Sequence, residues 1–132
     1  MFKKSDKILV IGAHPDDEVI GCGGTILKAK EIGCDVKILI LGEGVSARFD
    51  TKLEKKKILK ASKKREEEFL SSIKILRISN YEMHNYKCTK FDQYPISNFV
   101  KIIEKNIYNF KPTIIFTHHD NEVNIDHSIT CA

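Results

Sequence analysis

The stretch that determines the fold is KILVIGAHPDDE, residues 7–18. Its first six residues form a short apolar run that ends in glycine, which is typical of a β-strand buried on both faces. Four polar side chains follow, where such a strand leaves the core: His14, Asp16, Asp17 and Glu18. The stretch therefore predicts a buried sheet with a polar site at the carboxyl end of one strand.

Outward from this strand, strand-like and helix-like patterns alternate along the chain. Three further segments are predicted strands, the middle one weaker than the others: residues 35–42, 77–81 and 113–117. Three segments with apolar residues three or four positions apart are predicted helices: residues 19–32, about 52–76, and 96–110. Such alternation predicts an α/β fold, a three-layer Rossmann-like sandwich with a mostly parallel sheet in the strand order 3-2-1-4. Asp126 is predicted to cap a further helix.

The bulk composition limits the class of protein. A chain of 132 residues with 42% hydrophobic content suits a single domain, residues 1–132, with its own core. The apolar run at residues 8–13 is too short for a signal peptide or a membrane span. The four cysteines are scattered and form no CxxC pair. We therefore expect a cytoplasmic protein without a membrane span.

The formal net charge of +4 comes largely from one lysine-rich stretch, residues 52–65. Helical spacing predicts that five residues of this helix face the core: Ile58, Ser62, Phe69, Ile73 and Leu76. The lysines are then left on a solvated helix face. Because no interleaved aromatic residues or recognition motif accompany them, no nucleic-acid partner is predicted.

Two polar clusters are expected to meet in space, because the predicted order places the carboxyl ends of the first and fourth strands side by side. The second cluster follows the fourth strand: His118, His119, Asp126 and His127. Zinc hydrolases use three protein ligands and keep one coordination position open. His14 and Asp17 form a compact pair of ligands, and His127 is the best-placed third. Asp16 could then accept a proton from an attacking water, which would hydrolyse an amide or ester without a nucleophilic side chain.

Two segments carry a resemblance to a known family. Residues 8–44, ILVIGAHPDDEVIGCGGTILKAKEIGCDVKILILGEG, resemble the N-terminus of the PIG-L/LmbE-like zinc-dependent N-deacetylases. Residues 112–130, PTIIFTHHDNEVNIDHSIT, resemble their second motif. The similarity runs through nearly the whole chain and is weakest across residues 82–94. Members of the family deacetylate N-acetylglucosamine units in glycolipids, sugar conjugates, chitobiose or nucleotide-linked sugars.

The resemblance implies the same metal site as the reasoning from the residues. It implies zinc ligation by His14, Asp17 and His127, with Asp16 as general base. Asp126 would orient neighbouring groups from behind the ligands. Fe²⁺ or another divalent ion is an alternative to Zn²⁺, and the implied partner is a small-molecule amino-sugar substrate. A homo-oligomer is an open alternative to a monomer.

Other positions carry two interpretations each. Arg65 resembles a substrate-contacting arginine of the family, and the alternative is a surface charge. Glu43 is a candidate for hydrogen bonds to sugar hydroxyls, and the alternative is an ordinary loop carboxylate. Some members have a histidine where this chain has Asn124, so we expect Asp16 to act first as base and then as acid. His118 is the alternative proton donor, or else a buried, hydrogen-bonded histidine.

The length of the chain raises a second functional hypothesis. Family members continue well beyond the second motif, whereas this sequence stops one turn into the helix that carries His127. The chain is thus expected to lack the C-terminal part of the family fold. The alternative to a deacetylase is a truncated, non-catalytic metal-binding domain. A nucleotide-binding Rossmann protein is disfavoured, because GCGG at residues 21–24 lacks the GxGxxG spacing.

Overall fold

The computed structural model describes residues 2–50 and 52–132, in which strands and helices alternate. The strands are β1 (Lys7–Gly12), β2 (Asp35–Gly42), β3 (Asn80–Tyr86) and β4 (Ile114–Phe116). The helices are α1 (Asp17–Ile32), α2 (Lys55–Ile75), α3 (Ile96–Phe110) and α4 (Ile125–Cys131). Two short 3₁₀ turns lie in loops, at Ser46–Arg48 and Phe91–Gln93.

The strands pair in the order β3-β2-β1-β4. All three pairings are parallel, and Val10 at the centre of β1 lies between Ile38 of β2 and Phe116 of β4. The predicted order and the predicted fold class are confirmed. Because β1 and β4 are neighbours, the loops that follow them leave the same edge of the sheet.

Alternate residues of β1 pack on opposite faces of the sheet, as the two-residue period of a strand requires. Ile8 and Val10 join a core with residues of α1 and α2, whereas Leu9 and Ile11 join a second core with residues of α3. Both cores are buried, so the sheet is covered by helices on both sides. The architecture is the expected three-layer sandwich.

Two helix ends differ in how well they were predicted. The residue after α1, Gly33, has a φ of 95° and donates its N–H to the carbonyls of Ala29 and Lys30, which confirms it as the helix stop. The prediction that Asp126 caps the last helix is wrong. Asn124 is the cap of α4, and its side-chain oxygen accepts the N–H of Asp126 at 3.0 Å. The Asp126 side chain turns into the interior instead.

The third strand does not lie where the sequence predicted it. The predicted range is residues 77–81, but β3 spans Asn80–Tyr86 and includes part of residues 82–94, where the resemblance to the family is weakest. Its residues are exposed or half-buried because β3 is an edge strand of the sheet. A strand without a buried face has no apolar run or alternation to reveal it.

The core-facing side of α2 is shorter than predicted. Phe69, Ile73 and Leu76 are buried as expected. Ile58 and Ser62 are not core residues but line a cavity between α2 and β3. The helical period alone cannot distinguish a side that packs on the sheet from one that faces an open cavity.

Among the residues described, no helix combines the length and the apolar character needed to cross a membrane.

Gly42, at the end of β2, lies where the loop after β1 and the loop that contains Phe91 both approach the backbone closely. An added Cβ there would lie 2.9 Å from the Ala13 carbonyl oxygen and 3.0 Å from the Phe91 ring. We expect Gly42→Ala to lower the free energy of unfolding by about 1–3 kcal/mol through overpacking, measured by urea denaturation. Gly24→Ala is the control, because an added Cβ there meets nothing within 4 Å, and it should be stabilising by about 0.5–1 kcal/mol. Equal unfolding midpoints for both variants would contradict this account.

Candidate metal centre

Three side chains from two separate parts of the chain converge at the carboxyl edge of the sheet. His14 follows β1, Asp17 begins α1, and His127 lies on α4. Each offers a ligand atom, and these atoms lie within 4.8 Å of one another. One carboxylate oxygen of Asp17 is 3.6 Å from His14 Nδ1 and 3.5 Å from His127 Nε2. Two imidazoles and a carboxylate at this spacing suit a divalent transition-metal ion such as Zn²⁺.

The loop between β1 and α1 is held tight by its own hydrogen bonds. The backbone N–H of His14 donates to the Asp17 carboxylate at 2.8 Å, and the N–H of Asp17 donates to the His14 carbonyl at 3.3 Å. Asp16 has a φ of 151°, a region that residues with side chains rarely adopt. Only four residues, Ala13 to Asp16, separate β1 from α1, which places His14 and Asp17 at the sheet edge.

Asp126 orients the His14 ring from behind. Its carboxylate is buried and lies 2.8 Å from His14 Nε2, while it also accepts the backbone N–H groups of Thr89 at 2.6 Å and Phe91 at 3.0 Å. The hydrogen bond at Nε2 leaves His14 Nδ1 free to face Asp17 and His127. This is the carboxylate–histidine arrangement found behind metal-ligating histidines.

The pKa values of His14 and Asp17 are both shifted by the charged groups packed around them. Burial opposes a charge on His14, but the adjoining carboxylates of Asp126 and Asp17 outweigh it and raise the pKa of His14 to about 11. Burial likewise opposes a charge on Asp17, but the adjoining His118 and His14 side chains and the His14 backbone N–H hold the pKa of Asp17 well below its usual range. At neutral pH the metal-free site therefore holds a protonated His14. A metal ion must displace that proton, so metal affinity should rise with pH across the neutral range.

We expect Asp126→Asn to weaken zinc binding by about 10- to 100-fold, because the amide is a poorer acceptor for the His14 N–H. Competition with a chromogenic chelator at fixed pH measures this affinity. Asp120→Asn is the matched control, since that side chain is largely exposed. The amide oxygen can still accept the Phe91 N–H, and urea denaturation reports any separate loss of stability. A zinc affinity equal to that of the control would contradict the role of Asp126 in orienting His14 for metal binding.

His118 lies within the cluster as a supporting residue. Its ring stacks on that of His127 with 3.9 Å between centroids, and its Nε2 accepts the backbone N–H of Ala13 at 2.9 Å. A ring nitrogen that accepts a hydrogen bond carries no proton, so the neutral ring bears its proton on Nδ1. This geometry favours the buried, hydrogen-bonded histidine over the proton donor.

Arg65 lies beside Asp16 rather than on the open surface. One of its guanidinium nitrogens is 3.2 Å from a carboxylate oxygen of Asp16, and its side chain is 19% exposed. It approaches over Gly44, where an added Cβ would lie 3.8 Å from the Arg65 guanidinium Nε and 2.9 Å from the Pro15 ring. Arg65 therefore holds the Asp16 carboxylate beside the candidate ligands His14 and Asp17. A contact with substrate from this place stays a prediction.

Glu43 is buried and has its carboxylate occupied by the backbone. It accepts the N–H groups of Val45 at 2.7 Å, Ser46 at 3.0 Å and Cys88 at 3.0 Å. A carboxylate with three backbone partners holds two loops together. This placement favours a supporting role for Glu43 over direct hydrogen bonds to a sugar.

Two residues at the centre were not predicted from the sequence. The sequence indicates Glu18 only as a polar side chain after the first strand, but it is fully buried, accepts the N–H of Asp16 at 3.1 Å, and burial raises its pKa to about 7. Cys88 lies within reach of the His14 and Asp126 donor atoms. It belongs to residues 82–94, where the resemblance to the family is weakest, and no spacing signal points to it. Glu18 is part of the motif, yet its burial depends on packing that the motif does not encode.

Two further groups of donors overlap the first. His14, Cys88 and Asp126 form one, and His118, Glu122 and His127 form the other. The first is occupied by the hydrogen bond between His14 and Asp126, and the second depends on an exposed glutamate. The group of His14, Asp17 and His127 is therefore the one whose donors are both available and enclosed.

The fold and the site together define the class of this protein. It is an α/β protein with a Rossmann-like sheet, and two histidines and a carboxylate at the carboxyl edge of that sheet form a candidate metal centre. Comparison with known families narrows that class. The profile described as "PIG-L: GlcNAc-PI de-N-acetylase" matches residues 9–132. The chain belongs to the PIG-L family, as its two motifs indicated.

Individual relatives include deacetylases. A diacetylchitobiose deacetylase of Thermococcus kodakarensis is 45% identical over 49 residues, which are 37% of this chain and 18% of that protein. The structure of an N,N'-diacetylchitobiose deacetylase from Pyrococcus horikoshii, complexed with its inhibitor MPG, matches with a TM-score of 0.79 and 29% identity, over 96% of this chain and 46% of that one. The present chain thus spans about half the length of this structural relative.

The same fold also occurs in a protein that is not named as a deacetylase. The structure of GalB, the 4-carboxy-2-hydroxymuconate hydratase from Pseudomonas putida KT2440, matches with a TM-score of 0.77 and 21% identity, over 96% of this chain and 52% of that one. At this identity the likeness concerns the fold alone. The reaction must therefore be argued from the site.

Proposed function

We propose that this protein is a metal-dependent hydrolase that removes the N-acetyl group from an N-acetylglucosamine-type amino sugar or its conjugate. The observation that carries the proposal is the cluster of His14, Asp17 and His127 at the carboxyl edge of the sheet, with Asp16 adjacent in the same loop. Membership of the PIG-L family and the similarity to two chitobiose deacetylases support it.

The residues present fit a divalent cation, which we propose is Zn²⁺, with Fe²⁺ as the alternative. His14 through Nδ1, Asp17 through one oxygen and His127 through Nε2 would hold it, because the remaining nitrogen of His14 is already hydrogen-bonded to Asp126. Three protein ligands leave room for substrate or water. When bound, such an ion supplies Lewis acidity, which polarises an amide carbonyl and eases ionisation of a water molecule.

Asp16 is proposed to move the proton in both halves of the reaction. Its carboxylate, partly exposed and held by Arg65, accepts a proton from the water whose oxygen attacks the acetyl carbon. The same proton then passes from the Asp16 carboxyl to the amine nitrogen as the carbon–nitrogen bond breaks. Acetic acid and the free amine are formed, and the second water proton passes from the acid to the amine, which gives acetate and the ammonium form of the amino sugar. Atoms and charges thus balance without any covalent enzyme intermediate.

Asp16 takes the second role because the nearby alternatives are occupied. The Asn124 side chain caps α4 and, as an amide, cannot donate a proton usefully. His118 Nε2 accepts the Ala13 N–H, which leaves no proton on the nitrogen nearest Asp17. A single carboxylate that serves as base and then as acid satisfies the requirement for both transfers.

Acetate release and metal content, measured together, test the proposal. The zinc-loaded protein should release acetate from N-acetylglucosamine or N,N'-diacetylchitobiose and contain about one metal ion per chain. Metal without hydrolysis across a panel of acetylated amino sugars would favour the non-catalytic metal-binding domain. The absence of both metal and hydrolysis would refute the proposal. The cytoplasmic location and a homo-oligomer stay predictions.

A further inference from the structure

Asp16 holds its carboxylate in a position that an aspartate at the start of a helix does not usually take. It precedes α1, and its carbonyl accepts the N–H groups of Val19 at 3.0 Å and Ile20 at 2.9 Å, as that of an N-cap residue does. An aspartate there normally turns its side chain back to accept a helix N–H. Among the residues described, the Asp16 carboxylate accepts no N–H of α1 and lies 3.2 Å from the Arg65 guanidinium. The carboxylate is therefore available to the site instead of to the helix end.

The backbone conformation of Asp16 accompanies this arrangement. Its φ of 151° is one that residues with side chains adopt only at a cost, and such conformations persist where the surroundings enforce them. An N-cap residue usually has extended backbone angles, from which its side chain reaches the helix N–H groups. A contact that stabilises the unusual φ of Asp16 would therefore also keep its carboxylate away from the helix end.

Glu18 supplies such a contact from two residues further along the chain. Its Oε2 accepts the backbone N–H of Asp16 at 3.1 Å. The side chain is only 1% exposed, and its other oxygen, Oε1, has no hydrogen-bond partner in the described part of the chain. A buried carboxylate with so few partners is costly. An apolar residue would fit this buried position at lower cost, but it could not accept the Asp16 N–H.

A small cavity beside Glu18 makes its hydrogen bond testable by substitution. The cavity has a volume of about 70 Å³ and is lined by Glu18 together with residues of β1, α1 and the end of β4. This volume exceeds the roughly 10–15 Å³ that one water molecule needs, so an uncharged polar side chain at position 18 can be solvated. Val10 lines the same cavity from β1 and is also buried. It therefore offers a control position in the cavity wall that lies outside the turn.

We propose that Glu18 is a positioning residue for Asp16. By accepting the Asp16 N–H, it holds the backbone in the conformation that directs the carboxylate to Arg65 and to the water that attacks the acetyl group. The inference rests on the proposed function for the role of Asp16, whereas the contact itself does not depend on the reaction. Glu18 acts only through Asp16 and touches neither substrate nor metal. The alternative is an ordinary helix-start carboxylate, whose loss would lower stability alone.

Acetate release by the zinc-loaded variants Glu18→Met and Glu18→Gln tests the proposal. Methionine has a similar length but no acceptor, whereas glutamine keeps an oxygen for the Asp16 N–H. We expect Glu18→Met to lower kcat about 10- to 100-fold, with KM and metal content within about twofold of the unmodified protein. Glu18→Gln should stay within about threefold of the unmodified protein, because a neutral acceptor is weaker but present. Val10→Ala is the matched control, which should lower the free energy of unfolding and leave kcat within about twofold.

A double variant separates positioning from a general structural loss. Because Glu18 acts through Asp16, Glu18→Met should cause almost no further loss of kcat in a protein that already carries Asp16→Asn. Equal losses of kcat in both backgrounds would overturn the proposal. So would equal losses in Glu18→Met and Glu18→Gln, or a Glu18→Met protein as active as Val10→Ala.

Crystal structures of the two Glu18 variants test the same contact without the reaction. In Glu18→Met the Asp16 carboxylate should turn back to α1 and lose its 3.2 Å contact with Arg65, whereas Glu18→Gln should keep that contact. An unchanged contact in Glu18→Met would overturn the inference. Loss of the contact in Glu18→Met alone, in a protein that releases no acetate in any form, would support positioning by Glu18 and contradict the proposed deacetylation, so the two can fail separately.

Discussion

Replacement of Asp16 by asparagine is expected to slow acetate release by about 10²- to 10⁴-fold, the contribution typical of a positioned general base. The change preserves the shape of the side chain and leaves an oxygen for Arg65, which lies 3.2 Å from the carboxylate. It removes the negative charge, and with it the capacity to accept a proton. Acetate formed per unit time at saturating sugar concentration measures the effect.

The metal content of the Asp16→Asn protein should be unchanged, because Asp16 is not among the three proposed ligands. Asp35→Asn is the matched control, since Asp35 lies at the opposite, amino end of β2 and is largely exposed. An Asp16→Asn protein as active as this control would assign the base to another group. A parallel loss of metal would instead make Asp16 part of the binding site.

Replacement of His127 by alanine is expected to weaken zinc binding by on the order of 10³-fold, more than the roughly 10- to 100-fold caused by changing a partner behind a ligand. His14 and Asp17, from one loop, would remain as a two-ligand site. Chelator competition gives the affinity, and metal analysis after gel filtration gives the content. Acetate release should fall with the metal content.

His119→Ala is the matched control for this experiment, because the His119 side chain is 76% exposed. The variant should keep its zinc. If His127→Ala also keeps its zinc, the ion is held by other donors, and the group of His14, Cys88 and Asp126 becomes the alternative. Cys88→Ser would then lower the affinity, whereas in the proposed site it should leave the affinity within about tenfold.

Much of the fold could be predicted because the central strands carry a strong local signal. Ile8 to Ile11 in β1 and Ile38 to Leu41 in β2 are all buried, so each strand is a continuous apolar run. Gly33 ends α1 in the left-handed conformation that glycine adopts most readily. With strands and helices alternating, chirality and short connections leave few topologies.

The parts that were mispredicted lack such a local signal. β3 pairs with β2 through its backbone, while its side chains stay exposed or half-buried, so its sequence need not be apolar. Ile58 and Ser62 continue the helical period of α2 but meet a cavity instead of the sheet. In both cases the outcome depends on what lies opposite, which the segment itself does not specify.

The candidate site divides in the same way. His14 and Asp17 could be paired from the sequence, because three residues separate them and the loop closes on itself with a 2.8 Å hydrogen bond. His127 could be added because the strand order brings two loops to one edge. The resemblance implied a place for Asp126 behind the ligands, but its contact with His14 Nε2, the pairing of Arg65 with Asp16 and the burial of Glu18 could not be predicted. Each depends on side chains of other elements.

KILVIGAHPDDE thus specifies a buried strand, a tight turn and half of the candidate metal centre, because all of these depend on contacts within a few residues. The other half depends on tertiary structure. Asp126 reaches His14 across 112 residues of sequence, and it does so because β1 and β4 pair and the Thr89 and Phe91 backbone closes over the carboxylate. A local pattern can specify which side chains are present at a sheet edge. Only the packed chain decides which of their nitrogens and oxygens face one another.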